Sequence, residues 1–266
     1  MATSVFCYPS GGKIPVGDLS TAVFTVRMLS GGFCLAVLSK EGKVLYLNQF
    51  AFPPNLSVEE KINMIENARP PFHSECGKAV FQLYTNINTQ IPESFYAENV
   101  NDAVAELLIT NSKKYVPVAE KIAEVALYNL SLWEAVLLKK VREHFPDYEL
   151  KTVLGALLAK TTDRKSQEET FVFVEDMNFT MLARNAKGLL ACNSFAFETE
   201  ADFLYYFLYF LRKMYLNAEN VPIWFCGNIT RQSSLFKAVK KYVSNVELLE
   251  NGTDTIENQH YYSDII

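Results

Sequence analysis

No apolar run in this sequence is long enough to cross a bilayer. The longest, FLYYFLYFL at residues 203–211, has nine residues, against the roughly 20 that a spanning helix needs. The N-terminus lacks a basic segment followed by an apolar run, so no secretory leader is expected and the cytoplasm is the expected location. Cysteines number five, at 7, 34, 76, 192 and 226. An odd count without a CxxC pair indicates neither a disulfide framework nor a zinc site. Cys34 and Cys192 fall in expected strands and read as small buried hydrophobes. The three histidines, His73, His144 and His260, are isolated in sequence and make poor material for a metal cluster. No serine sits in a glycine elbow and there is no HExxH. Basic residues do not predominate. The net charge is −5 and the pI is near 5.4, which argues against nucleic acid or an anionic membrane as partner.

What is present is a globular composition. With 49% hydrophobic and 21% charged residues, 266 residues can bury a sizeable core in one large domain or two smaller ones. Most of the 19 Phe and 14 Tyr should lie in that core.

One stretch occurs twice. Residues 42–52 read GKVLYLNQFAF and residues 188–197 read GLLACNSFAF. Gly42 and Gly188 are 146 positions apart, Asn48 and Asn193 145 apart. Each glycine follows an apolar run that starts nine residues earlier, at Phe33 and Phe179. Each Phe-Ala-Phe precedes a helix-start signal, Ser57 with Glu60 and Thr199 with Asp202. A fixed self-similarity of this kind indicates a duplicated supersecondary unit.

Residues 20–29, 33–39 and 43–52 are expected to form a three-stranded antiparallel meander, because the turns between them are short. A helix follows at 57–67, then a strand at 79–85. IPESFY reads as a turn, with a helix at about 100–108 and a strand at 121–130. Ser131 with Glu134 reads as the start of a helix whose one face carries Trp133, Val136, Leu137, Val141 and His144. Residues 150–160 read as a second helix. The polar stretch 161–170 is the candidate boundary, which gives units at 19–160 and 170–250. The second unit repeats the meander at 171–175, 178–184 and 188–197. A helix at about 200–216, a strand at 221–227, a helix at about 232–241 and a strand at 243–249 complete it. On the long helix Phe203, Phe207, Phe210 and Met214 would line one face and Tyr205, Tyr209 and Leu216 another, a pattern of burial on several sides. Residues 1–18 read as an irregular lead-in. Within it SGGK at 10–13 lacks the first glycine of a phosphate loop and has Ile14 where a hydroxyl should hold magnesium.

A three-strand meander followed by alternating helices and strands resembles the ribonuclease-H-like fold. Two such units in tandem look like the actin-like ATPase architecture, an α/β fold of mixed sheets with helical crossovers. It is shared by actins, sugar kinases, heat-shock ATPases and several nonhydrolytic relatives. IPESFY at 91–96, NSFAF at 193–197, EADFLYYFL at 200–208 and WFCG at 224–227 also resemble a family of uncharacterised bacterial proteins, a domain of unknown function with this duplicated fold. The resemblance covers about residues 20 to 250.

Active members of the actin-like class carry an Asp-x-Gly turn between the first two strands of each half. The Asp positions magnesium and water, and the Gly lets backbone N–H groups approach phosphate. Here the first turn, Leu29-Ser30-Gly31-Gly32, has glycines without a carboxylate. The second, Glu175-Asp176-Met177-Asn178, has acids without a glycine. Gly227, at Cys226-Gly227-Asn228, offers one glycine where active members place a pair. Gly31 and Gly32 either cradle a phosphate or permit positive φ in a tight hairpin. Glu175 and Asp176 either bind a cation or make a polar turn. Gly227 either approaches a ligand or serves a strand-to-helix turn. Without the first carboxylate most phosphoryl-transfer catalysis should be lost. The resemblance therefore implies a noncatalytic or degenerate relative that binds a protein or small ligand between the halves, without a cofactor. The alternative is an active ATPase or small-molecule kinase using ATP and magnesium through atypical loops. A third reading is an assembly subunit that forms homo-oligomers.

Overall fold

The structure, a computed structural model, describes residues 3–9, 18–161, 168–249 and 259–262. In the first half the strands are β1 (Thr3–Tyr8), β2 (Val23–Met28), β3 (Gly32–Leu38) and β4 (Val44–Ala51). Helix α1 (Val58–Ala68) leads to β5 (Lys78–Leu83). An insertion follows: β6 (Asn88–Pro92), α2 (Asn101–Leu108), β7 (Tyr115–Ile122) and β8 (Leu127–Glu134). Helix α3 (Ala135–His144), β9 (Glu149–Thr152) and α4 (Val153–Thr161) close this half. The second half has β10 (Glu168–Glu175), β11 (Asn178–Asn185), β12 (Gly188–Ala196), α5 (Glu200–Lys213), β13 (Ile223–Gly227), α6 (Ser234–Val239) and β14 (Val246–Leu248).

The sheets show the duplication. The first has the order β1-β4-β3-β2-β5-β9 and the second β12-β11-β10-β13-β14. Without β1 the two orders are the same. In each, the first three strands are antiparallel and the last two run parallel to the central one. The repeated stretch forms the third strand of each meander. Its glycines, Gly42 (φ 79) and Gly188 (φ 128), both adopt positive φ at the turn, where a Cβ would be strained. In each half a buried phenylalanine packs on the Phe-Ala-Phe pair. Phe33 lies 4.7 Å from Phe50 and 5.4 Å from Phe52 between ring centroids, and Phe179 lies 5.2 Å from Phe195 and 5.8 Å from Phe197. Both helix-start signals are capping boxes, Ser57 with Glu60 and Thr199 with Asp202.

Each half sends the segment after its last strand onto the other half. Helix α4 packs with Phe171, Phe173, Leu182 and Cys226 of the second sheet. The short turn Gln259–Tyr262 brings Tyr262 against Cys34, Ala36 and Leu47 of the first. This exchange explains why α4 is apolar nearly all round.

Several sequence expectations need correction. The lead-in contains a strand, β1, which adds antiparallel to β4; SGGK at 10–13 lies outside the described residues. IPESFY is only partly a turn, because Ile91 and Pro92 end β6. The expected strand 121–130 is two strands, broken at Ala126 in the left-handed region (φ 50). Ser131 does not cap a helix. It lies within β8, where its hydroxyl accepts from Trp133 Nε1 at 3.0 Å and donates to the Val118 carbonyl at 3.2 Å. The helix starts at Ala135, and Val136 is exposed. Of the helix expected at 150–160, residues 150–152 are instead strand, in β9, drawn into the first sheet by pairing with β5. Helix α5 ends at Lys213, before Leu216, and is buried on one side only: Phe203, Phe207 and Phe210 are buried, whereas Tyr205 and Tyr209 are exposed. In the proposed boundary, residues 162–167 lie outside the described residues, Thr161 ends α4 and Glu168–Thr170 begin β10.

Candidate functional site

The turn between β2 and β3 faces the turn between β10 and β11. The first turn closes by Leu29 N–H donating to the Gly32 carbonyl at 2.9 Å. Phe52 N–H donates to the Gly31 carbonyl at 3.0 Å, and Phe197 N–H donates to the Met177 carbonyl at 3.0 Å in the second half. The two turns are thus held by equivalent bonds from the repeated Phe-Ala-Phe segments. Neither Gly31 nor Gly32 has positive φ, so a left-handed turn is not the reason for them. Gly32 is required by close approach, since a Cβ there would overlap the Phe50 carbonyl oxygen. A Cβ on Gly31 would meet nothing.

Glu175 is buried, and its Oε1 accepts two hydrogen bonds from the opposite half, from Ser30 N–H at 3.0 Å and Ser30 Oγ–H at 2.7 Å. The backbone donor of the first turn therefore points at a carboxylate of the same chain. Burial pushes the Glu175 carboxyl above its ordinary value, opposed by the Ser30 hydrogen bonds and the Arg27 charge. Asp176 sits beside it in the left-handed region (φ 49). Gly227 ends β13 with φ 82, and a Cβ there would overlap the Val174 carbonyl oxygen, which accepts from Asn228 N–H at 2.7 Å. A side chain would break this turn whether or not a ligand approaches. The fold thus brings Ser30 and Glu175 into contact and sets Gly227 beside Val174, one strand over.

Sequence reasoning missed the other residues that cross between the halves. Asn86 Nδ2 donates to Asn178 Oδ1 at 2.7 Å, and Tyr84 packs 5.6 Å from Phe173. A polar chain runs from the insertion into the second sheet. Thr152 donates N–H and Oγ–H to half-buried Glu120 at 2.9 and 2.7 Å, and Asn129 Nδ2 donates to Thr152 Oγ1 at 2.9 Å. Gln90 Nε2 reaches Asn129 Oδ1 and Asn88 Oδ1, and Asn88 Nδ2 reaches Ser194 Oγ at 3.3 Å. Buried Arg27 donates to the Tyr261 carbonyl at 2.7 Å and lies 4.9 and 5.3 Å from the Tyr261 and Tyr262 rings. No local pattern marks these asparagines, and Tyr261 and Tyr262 lie over 230 positions from Arg27. A groove of about 300 Å³ opens beside the turns, lined by Ser30, Lys61, Tyr84, Asn86, Trp133 and Asn178 among others. His73 and His144 are engaged separately, with the Pro70 carbonyl and with Glu66. Among the described residues no three His, Cys, Asp or Glu side chains gather as metal ligands would.

Burial also raises Glu120 above its ordinary value. Between the ordinary value of 4.5 and the raised one, the folded protein keeps protons that the unfolded chain has released. The contribution of these groups is therefore fully present below about pH 4.5 and lost as pH rises through the folded pKa. Replacing Glu175 by Gln should remove its share. The melting-temperature difference, variant minus wild type, is expected to grow as pH rises above 4.5; a difference flat with pH would contradict this.

The sheets, the reciprocal exchange and the facing turns define a protein of the actin-like ATPase fold, built from two ribonuclease-H-like halves. The chain belongs to the family described as "Protein of unknown function (DUF3822)", whose model matches residues 21–246. Among solved structures it is similar to a Bacteroides thetaiotaomicron protein with actin-like ATPase fold and unknown function. That match has TM-score 0.79 and 14% identity over 90% of this chain and 94% of that one. It is also similar to a chain of the PilM–PilN type IV pilus biogenesis complex, with TM-score 0.57 and 11% identity over 94% of this chain and 97% of that one. At these identities the likeness is one of fold. No curated protein matches the sequence.

Proposed function

We propose that this protein is a noncatalytic member of the actin-like class that binds a protein partner or small ligand in the groove between its halves. The observation that carries this reading is the Ser30–Glu175 contact. An active turn would offer its N–H groups to a phosphate and supply a carboxylate to magnesium. Here the first turn has no carboxylate, and its Ser30 donors are taken by Glu175. A nucleotide would have to displace a buried carboxylate and leave it beside its own negative phosphates. The PilM–PilN neighbour is a complex, so this fold occurs within a protein assembly. Partner binding is the reading that needs no catalytic apparatus. No helix among the described residues is long and apolar enough to cross a membrane.

The test is thermal shift together with turnover. A site with Kd of about 10 µM would gain about 2.7 kcal/mol at about 1 mM ATP, which a melting curve reads as a shift of several degrees. The expected results are no shift with ATP and magnesium and no hydrolysis above background. Robust turnover abolished by Asp176→Asn would overturn the reading in favour of an ATP-using enzyme.

A further inference from the structure

The duplication gives β4 and β12 the same place but not the same neighbours. β4 lies between β3 and β1, whereas among the described residues β12 ends its sheet. In the first half the repeated asparagine holds the added strand: Asn48 Oδ1 accepts from Ser4 Oγ at 2.7 Å. β1 runs antiparallel, with Ser4 opposite Phe50, Phe6 opposite Gln49 and Cys7 opposite Asn48. Phe6 then packs 5.9 Å from Tyr262. In the second half Asn193 Oδ1 turns back on the adjacent Ser194 N–H at 3.1 Å. Asn193, Leu190 and Ala196 are exposed along β12.

This edge lacks most of the usual defences, although Asn88 on β6 of the insertion reaches Ser194 at 3.3 Å. Natural proteins blunt exposed edges with charge, proline, bulges or very short strands. Gly188–Ala196, GLLACNSFA, has nine residues and neither charge nor proline. Its one register shift lies between the pairs made by Ala183 and Arg184, toward the Gly188 end, and leaves Ala191–Ala196 regular. A cavity of about 520 Å³, lined by Gln90, Pro92, Leu127, Gly188 and Leu189 among others, separates the insertion from that end and has room for an apolar side chain.

We propose that the outer edge of β12 is a docking site for an extended segment of a partner protein, added antiparallel as β1 is added to β4. The segment carries a Ser or Thr whose hydroxyl donates to Asn193, followed by apolar residues, the pattern of Thr3–Tyr8. Main-chain hydrogen bonds supply the affinity and the Asn193 clamp supplies register. This surface is separate from the groove between the halves, and the proposal does not rest on that reading.

The test is hydrogen–deuterium exchange on the full-length protein, with a synthetic peptide of sequence Thr3–Tyr8 in which Cys7→Ser prevents oxidation. The peptide is expected to slow exchange within 188–196, and a control peptide with two prolines is not. Asn193→Ala, at an exposed position, should leave the melting temperature unchanged and weaken peptide binding about fivefold, the worth of one net hydrogen bond. No protection of 188–196 at millimolar peptide would overturn the proposal. So would protection confined to 44–51, which would mean exchange with β1. A dimer whose 188–196 amides are already protected without peptide would overturn it too, by giving the edge to a second copy.

Discussion

Phe179→Ala is expected to lower stability by about 3–5 kcal/mol, the range for truncating a fully buried phenylalanine. Phe179 has no exposure and lies where three elements meet. Its ring centroid is 5.2 Å from Phe195 on β12, 5.8 Å from Phe197 beyond it and 4.4 Å from Phe203 on α5. The surrounding rings are held by strand pairing and by the Thr199 cap of α5, so they cannot close the cavity, and the loss should lie toward the upper end. Denaturant titration should show a lower midpoint with an unchanged slope. Tyr215→Ala is the control: Tyr215 is 96% exposed, and a change within about 0.5 kcal/mol is expected there. A loss below about 1 kcal/mol for Phe179→Ala would mean that the aromatic cluster is not the packing centre of the second half.

Glu175→Ala is expected to cost about 1–3 kcal/mol, because two hydrogen bonds worth about 0.5–1.5 kcal/mol each are lost and Ser30, an exposed residue, leaves its freed donors to water. Two donors are affected, Ser30 N–H and Oγ–H, and the hydroxyl can rotate to recover part of its loss. The same substitution should speed amide exchange at Leu29–Gly32, since the turn loses its contact across the halves. Glu175→Gln separates acceptor from charge. It keeps an oxygen for Ser30 and removes a carboxylate that burial disfavours, so it should be as stable as wild type at neutral pH or more so. If Gln proved as damaging as Ala, attraction to Arg27 rather than the Ser30 hydrogen bonds would be what Glu175 supplies.

Much of the architecture was legible because it rests on local signals. The meanders follow from apolar runs separated by short turns, and Ser57 and Thr199 cap their helices as spacing predicts. The errors fall where tertiary context overrode a local pattern. Ser131 and Glu134 have the spacing of a capping box, yet β6 and β7 pair on both sides of β8 and hold this stretch extended. Glu149–Thr152 was drawn into a strand by β5. The site was legible only in part. The missing carboxylate at Leu29–Gly32 and the acids at Glu175–Asp176 could be read directly. That Glu175 would seal the opposite turn could not, because Ser30 carries no signal and lies 145 positions away.

By itself the sequence determined that one unit is present twice, since the recurrence of Gly, Asn and Phe-Ala-Phe in the same order, 145 or 146 positions on, is a property of the chain. It also determined that neither turn carries a complete Asp-x-Gly signature, since that depends on which residue types occupy them. Only the tertiary structure decided how the copies differ in use: β4 is covered by β1 while among the described residues β12 ends its sheet, and the two turns are bonded to each other. These outcomes depend on which distant backbone and side-chain groups come within hydrogen-bonding distance, and no short-range periodicity encodes that.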